Sequence, residues 1–292
     1  MMQATERNAK LAVLLRRDMI TVAPGACDAF TARIVEMTGF DAVYMSGSAV
    51  AASLGKPDVG LVSFKEVLDR ASQLVEGVDI PLIVDADTGY GGLLNAVRTA
   101  REFERAGVSA IQLEDQEFPK KCGVFGGKRL VSKEEMVGKI RACIDARYDP
   151  NFLVIARTDA IDVEGLQRAI ERALAYKAAG ADLLMFSGPR EQDLKEIVTK
   201  TAHPLVYINA EGIATRALIS VSDLEALGVK LVIFPLTAIL SAARAVVGNL
   251  SELRRTGTTK HIVPQLMTWG EYNEILGLDA AAALENRYSS SQ

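Results

Sequence analysis

Cysteine is scarce and dispersed. The chain holds three, Cys27, Cys122 and Cys143, and no two stand in a CxxC spacing. A thiolate zinc site is therefore not expected. An odd number of widely spaced thiols suits a reducing cytoplasm better than a disulfide-bonded secreted product. Histidine is scarcer still: His203 and His261 are the two in the chain, and neither ends an apolar run. No Ser-His-Asp triad is expected. Long apolar runs are missing too, with nothing near the roughly 18 residues of a membrane span. The opening MMQATERNAK lacks the apolar centre of a signal peptide. Charge of one sign does not dominate. Basic residues number 33 against 37 acidic ones, a net charge of −4, which gives no electrostatic reason to expect nucleic acid as a partner. No low-complexity tract and no linker rich in Pro, Gly or Ser marks disorder or a domain boundary. The expectation is a cytoplasmic protein of one domain over 1–292, although 292 residues could also hold two.

What is present is a repeated theme. A helix-like stretch, a Gly and a short apolar run recur as TGFDAVYMSG (38–47), AGVSAIQLED (106–115), AGADLLMFSG (179–188) and LGVKLVIFPL (227–236). Each reads as helix, Gly at the helix end, then strand. Four further runs, at 20–29, 80–89, 152–160 and 204–212, fill the gaps and make eight strand candidates. The runs are continuous rather than alternating, as parallel strands covered by helices require. Eight βα units predict an α/β fold, a (β/α)8 TIM barrel. An open doubly wound sheet is the alternative, weakened because no GxGxxG follows the first strand. Residues 237–292 read as a C-terminal helical extension longer than one final barrel helix needs. It packs either on a second subunit or on its own barrel, and the pattern leaves both open.

A barrel of this kind carries its site at the C-terminal ends of its strands. The sharpest segment there is DADTGYGG. In an extended strand Asp85 and Asp87 project to the same side, and Glu114 ends the next strand. Three carboxylates so close raise one another's pKa unless a cation neutralises them. Oxygen donors with few His or Cys nearby favour Mg2+ or Mn2+. The alternative is that these acids cap the following helices. FPKKCGVFGGKRL (118–130) is long enough for a mobile lid. Lys120, Lys121, Lys128 and Arg129 would attract an anionic substrate and lower the pKa of Cys122, a proton donor and acceptor expected to be unburied. Arg157 can grip a carboxylate with two parallel bonds, or else pair with Asp159. Ser46, Gly47 and Ser48 offer hydroxyls and backbone N–H groups, or simply a turn. Tyr44 and Asp58 could also reach the site.

These residues carry a family likeness. The chain resembles the isocitrate lyase/phosphoenolpyruvate mutase superfamily, closest to its methylisocitrate lyase and 2,3-dimethylmalate lyase branch. The motifs are PGACDAFTARI (24–34), YMSGSAVAASLGKPDVGL (44–61), DADTGYG (85–91), QLEDQEFPKKCG (112–123) and IARTDA (155–160). The resemblance implies that Asp85, Asp87 and Glu114 organise Mg2+, partly through water. It implies that Ser46 and Gly47 hold a keto-acid product, that Arg157 binds substrate and that Asp58 acts from a mobile segment. Lys121, Cys122 and Gly123 fall in its gating loop, where the cysteine serves as an acid. The implied reaction is cleavage of a small 2-hydroxy di- or tricarboxylate to an α-keto acid and a second acid, with Tyr44 a candidate base. Oxaloacetate hydrolysis or decarboxylation, phosphonopyruvate chemistry, and acid binding without catalysis are the alternatives. A C-terminal helix swapped between subunits of a dimer, often within a homotetramer, is also implied. Three positions depart from the pattern. Val124 stands where the lyase loop has His, and Ser187 where the sixth strand ends in Glu. Asn209-Ala210-Glu211-Gly212-Ile213-Ala214-Thr215 replaces Asn-Met-Val-Glu-Gly-Gly, so Glu211 takes the acid's place only after a one-residue shift.

Overall fold

The computed structural model describes residues 2–213 and 218–289. Eight strands close into a barrel in chain order. They are β1 (Thr21–Ala26), β2 (Val43–Met45), β3 (Leu82–Asp85), β4 (Ala110–Glu114), β5 (Leu153–Thr158), β6 (Leu183–Phe186), β7 (Leu205–Ile208) and β8 (Leu231–Phe234). Every neighbouring pair is parallel, and β1 closes on β8 with Thr21 opposite Leu231 and Pro24 opposite Phe234. Closure rules out the open-sheet alternative. The glycines read as helix ends behave as expected: Gly107 (φ 85°) and Gly180 (φ 102°) turn the chain from helix into β4 and β6.

Alternation within the strands sorts the side chains. Ala23, Tyr44, Ile83, Ile155, Met185, Val206 and Ile233 pack together inside the barrel, and Leu11 from the N-terminal helix Ala4–Arg16 joins them. Each buried Leu, Ile or Val there contributes about 1.5–3 kcal/mol. On the outer face Val232 and Tyr207 pack with Leu194, Ile219, Leu224 and Val229. Polar caps start the intervening helices. Asp28, read from sequence as a strand-end polar group, accepts from Thr31 N as an N-cap, and Ser63 forms a capping box with Glu66.

The chain divides into two compact units, Met1–Ala238 and Ile239–Gln292. The second unit corresponds closely to the helical extension read at 237–292. Its first helix begins at Thr237 and runs to Thr256 with no buried residue. Thr268 and Glu271 form a capping box ahead of the helix Trp269–Leu276, which Gly277 ends in the left-handed region before Leu278–Ser289. Val247, Leu250, Trp269 and Leu278 stand exposed. Among the described residues, no helix is long and apolar enough to cross a membrane.

Candidate active site

The C-terminal ends of the strands surround a cavity of about 210 Å³. Its charged wall comes from Asp58, Asp85, Glu114, Lys120 and Arg157, with Tyr44, Ser46, Ser48, Cys122 and Gly123 beside them. Asp85 closes β3, but Asp87 does not lie in an extended strand as its spacing suggested. The chain turns after Asp85, and Asp87 has φ 48°. Non-Gly residues hold that conformation at a cost of order 1–3 kcal/mol, which functional sites commonly tolerate. The turn folds Asp87 N–H back onto Asp85 Oδ1 at 3.2 Å. Asp87 C=O is in turn fixed by Glu114 N–H at 2.9 Å. The approach of β2 is equally tight: a Cβ on Gly47 would lie 3.0 Å from Asp85 Oδ2.

Burial raises the proton affinity of these acids. The Asp87 carboxyl is pushed up to about 6, chiefly by desolvation, against the pull of Lys120. Glu114 is raised by desolvation as well, although Arg157 opposes it. Lys120 Nζ lies 2.5 Å from Asp58 and 2.7 Å from Asp87 Oδ1. The Lys120 ammonium therefore serves Asp87 Oδ1 as well as Asp58, whereas Glu114 Oε1 is buried without a hydrogen-bond donor. Among the described residues no three His, Cys, Asp or Glu side chains form a ready-made set of direct metal ligands. One buried acceptor oxygen, Glu114 Oε1, nevertheless lacks a donor. Among the described residues, the four formal carboxylates Asp58, Asp85, Asp87 and Glu114 have ion pairs with Lys120 and Arg157 alone, and Asp159 already pairs with Arg157. That surplus fits a divalent cation held partly through water.

Arg157 is the penultimate residue of β5 and pairs with Asp159, the alternative read from its sequence. Its Nε and Nη2 donate to Asp159 at 2.9 and 3.0 Å. Its Nη1 sits 3.3 Å from Glu114 at the cavity wall. A guanidinium has five N–H groups, so donors remain for a bound acid. Gly123 packs on this guanidinium: a Cβ there would lie 2.3 Å from Arg157 Nη2.

The loop departs from expectation in its charges. Lys121 does not reach the cavity; its exposed ammonium donates to Gly127 C=O. Lys128 is buried against Gly123 C=O, Asp159 and Asp162, and Arg129 pairs with Glu117. Only Lys120 among the four turns inward. Cys122 is half-buried rather than unburied, and desolvation raises its thiol, outweighing the pull of Arg157 and Lys120. The expectation of a lowered pKa is therefore reversed. Glu211 also stands apart from the cavity-lining set. Its carboxylate accepts from Leu236 N–H at 3.1 Å and from the Thr237 hydroxyl. Ser46 lines the cavity but also caps the helix Gly47–Ser53 through Ala49 N–H. The Tyr44 phenol, fully buried beside Asp85, is held well above its ordinary value and donates to Gln112 Oε1 at 3.0 Å. It is a hydrogen-bond donor here and not a ready base.

Sequence reasoning missed Gln112, which links Tyr44 to Asp85 Oδ1. Its signal was a polar residue inside the apolar run AIQLE. It also missed Pro189, Tyr207 and Ile208, which line the cavity with Ala210 and Ile213.

The profile of a family described as phosphoenolpyruvate phosphomutase matches residues 11–254. The chain belongs to this family. A 2,3-dimethylmalate lyase from Eubacterium barkeri is 42% identical over 285 residues, covering 97% of this chain and 99% of that protein. An oxaloacetate acetylhydrolase solved with 3,3-difluorooxalacetate superposes with a TM-score of 0.92 at 32% identity, covering 98% of each chain. A phosphonopyruvate hydrolase solved with oxalate and Mg2+ gives 0.88 at 32% identity, covering 97% of this chain and 99% of that one. As a member of the phosphoenolpyruvate phosphomutase family, the chain places several of its departures in the cavity wall. Val124 and Ser187 both line it, with Ala210 and Ile213. Ala214 and Thr215 lie outside the described residues.

Proposed function

We propose that the chain is a Mg2+-dependent carbon–carbon lyase acting on a small 2-hydroxy di- or tricarboxylate of the 2,3-dimethylmalate or methylisocitrate kind. The observation that carries this reading is Cys122. Its thiol, kept neutral by burial, lines the same cavity as Arg157 and the buried carboxylates. A neutral thiol beside an anion-binding arginine can protonate a carbanion equivalent as it forms. The 42% identity to a 2,3-dimethylmalate lyase supports the same reaction.

Asp85, Asp87 and Glu114 would hold the ion, which supplies Lewis-acid polarisation and stabilises developing negative charge. Arg157 holds a substrate carboxylate with the N–H groups left by Asp159, and Ser46 and Ser48 border the keto-acid end. Asp58, paired with Lys120, takes the hydroxyl proton in place of Tyr44, whose phenol O–H stays on Gln112 Oε1. The C2–C3 bond then breaks. Its electron pair passes to the departing fragment, and the Cys122 proton neutralises that carbon. The segment around Gly123 covers Arg157 and keeps water from the fragment. From 2,3-dimethylmalate the products are pyruvate and propionate.

The test is a product assay with Mg2+ on 2,3-dimethylmalate, methylisocitrate, oxaloacetate and phosphonopyruvate. Pyruvate release from either of the first two is expected. Oxalate and acetate from oxaloacetate would instead support hydrolysis, the reading favoured by the structural likeness to oxaloacetate acetylhydrolase. Mg2+-dependent oxalate binding without turnover of any acid would mark a binding protein. We further propose a cytoplasmic homo-oligomer, a dimer or a tetramer of helix-swapped dimers, because Val247, Leu250 and Trp269 expose apolar surface. Sedimentation should give a multiple of 31.4 kDa, and a monomer at micromolar concentration would sink that part.

A further inference from the structure

The loop 118–130 contains a buried cation that the proposed chemistry does not use. Lys128 has a side chain 1% exposed. Its ammonium donates to Gly123 C=O at 2.6 Å, to Asp159 Oδ1 at 3.2 Å and to Asp162 Oδ2 at 3.0 Å. Asp159 is the carboxylate that grips Arg157 in two bonds. Asp159 is itself fixed, its N–H donating to Asp115 Oδ1 at 2.9 Å. Asp115 also accepts from the hydroxyls of Thr158 and Tyr176. A rigid, fully buried network therefore ends on one ammonium. That ammonium reaches across to the carbonyl directly after Cys122.

We infer that Lys128 is the latch of the cysteine segment: it ties Gly123 to the Asp159–Arg157 pair, so that Cys122 stands over the cavity only while the latch is made. The other ties explain why the latch matters. Cys122 N–H donates to Asp58 C=O at 3.1 Å, and Gln116 binds the Lys121 backbone at both ends, at 2.9 Å each. These fix the segment up to Cys122. Beyond it, Lys128 is the side chain that draws Gly123 down onto Arg157, where no Cβ would fit. A buried charge with three acceptors is costly to separate from them, so the closed position is favoured strongly over an open one. Lys128 touches no substrate atom. It is a positioning residue for Cys122, and the inference rests on the proposed lyase reading only for its consequence on turnover.

The test uses the full-length protein and iodoacetamide, with each cysteine followed by mass spectrometry, and needs no substrate. Cys27 and Cys143 are buried away from the loop and serve as internal controls. In Lys128→Met, Cys122 should be alkylated at least tenfold faster than in the parent, while Cys27 and Cys143 stay unreacted. Loss of a cation alone would slow Cys122, not speed it, so the sign of the change reports opening. Uniform acceleration of all three cysteines would show general loosening and overturn the inference, as would an unchanged Cys122 rate. Asp162→Asn, at the half-exposed end of the clamp, provides a milder variant should the first fail to fold, with a severalfold acceleration expected and an unchanged rate again fatal. If a turnover assay is in hand, kcat should fall much more than KM in Lys128→Met. Fast labelling without any measurable lyase activity in the parent would reject the lyase reading and leave the latch standing.

Discussion

Replacing Gly123 by Ala adds a single methyl group where the loop meets Arg157. Gly123 is not among the residues with positive φ, so the backbone accepts Ala without strain. The consequence is steric. The new Cβ would lie 2.3 Å from Arg157 Nη2 and 2.8 Å from Ser187 Oγ, whereas ordinary contact begins near 3.4 Å. Loop and guanidinium must separate by about 1 Å. Arg157 cannot give way cheaply, because Asp159 holds it by two bonds and Glu114 flanks it inside the barrel. The loop lies at the surface and lifts instead. A displacement of that size at a reacting group costs on the order of 100-fold in rate, equivalent to about 2.7 kcal/mol. Global stability should fall by no more than about 1–3 kcal/mol, because lifting Gly123 stretches its bond to the buried Lys128 ammonium but creates no cavity. The assay is pyruvate release from 2,3-dimethylmalate, with the thermal midpoint measured in parallel. Turnover within threefold of the parent would show that the loop does not need this contact. A thermal midpoint lowered by more than 10 °C would show that Arg157, not the loop, had moved.

Cys122→Ser should lower kcat by two or more orders of magnitude while Mg2+-dependent oxalate affinity, read by calorimetry, stays within threefold; undiminished turnover removes the acid role. Stripping divalent ions with EDTA should abolish turnover, and Mg2+ or Mn2+ should restore it; activity persisting in metal-free protein counts against the surplus of carboxylate charge as the ion's anchor. The pH dependence of Cys122 alkylation follows from the direction of its shift. A raised pKa leaves the thiol protonated at neutral pH, so the rate should keep climbing beyond the ordinary thiol value of 9.0. A plateau already reached by about pH 8 would mean that the neighbouring cations prevail over burial.

The barrel was legible because its strands are local features. Each apolar run lies wholly within a few residues, and glycines such as Gly107 and Gly180 announce the turn before it. The list of strand-end residues was legible for the same reason. What could not be read was orientation in a loop. Lys120, Lys121 and Lys128 share one short basic segment, yet their ammonium groups go to Asp58 and Asp87, to Gly127, and to Asp159 with Asp162. Those partners come from four different parts of the chain, so no pattern within the segment could separate them. The Cys122 error has the same root. Counting nearby cations along the sequence predicts a lowered pKa, but three of the four cations point elsewhere and the fold supplies desolvation. Asp87 shows a subtler failure: the two-residue spacing gave the right neighbour for the wrong reason, since a left-handed turn rather than strand alternation brings it to Asp85.

Asp159 shows how the two halves of the site depend on one another. It is wholly buried and ionised, with its proton affinity lowered because Arg157 and Lys128 outweigh its desolvation. One carboxylate therefore serves two cations, one at the cavity wall and the other beside the cysteine segment. Removing that charge would leave two buried cations short of a partner, which costs far more than the loss of any single contact. It would also free the guanidinium to swing toward Glu114, the other acid within its reach at 3.3 Å. A firmer Arg157–Glu114 pair would compete directly with the cation that Glu114 is proposed to help hold. On this account Asp159 keeps Arg157 from neutralising the carboxylates, and so preserves the surplus negative charge on which a divalent ion depends.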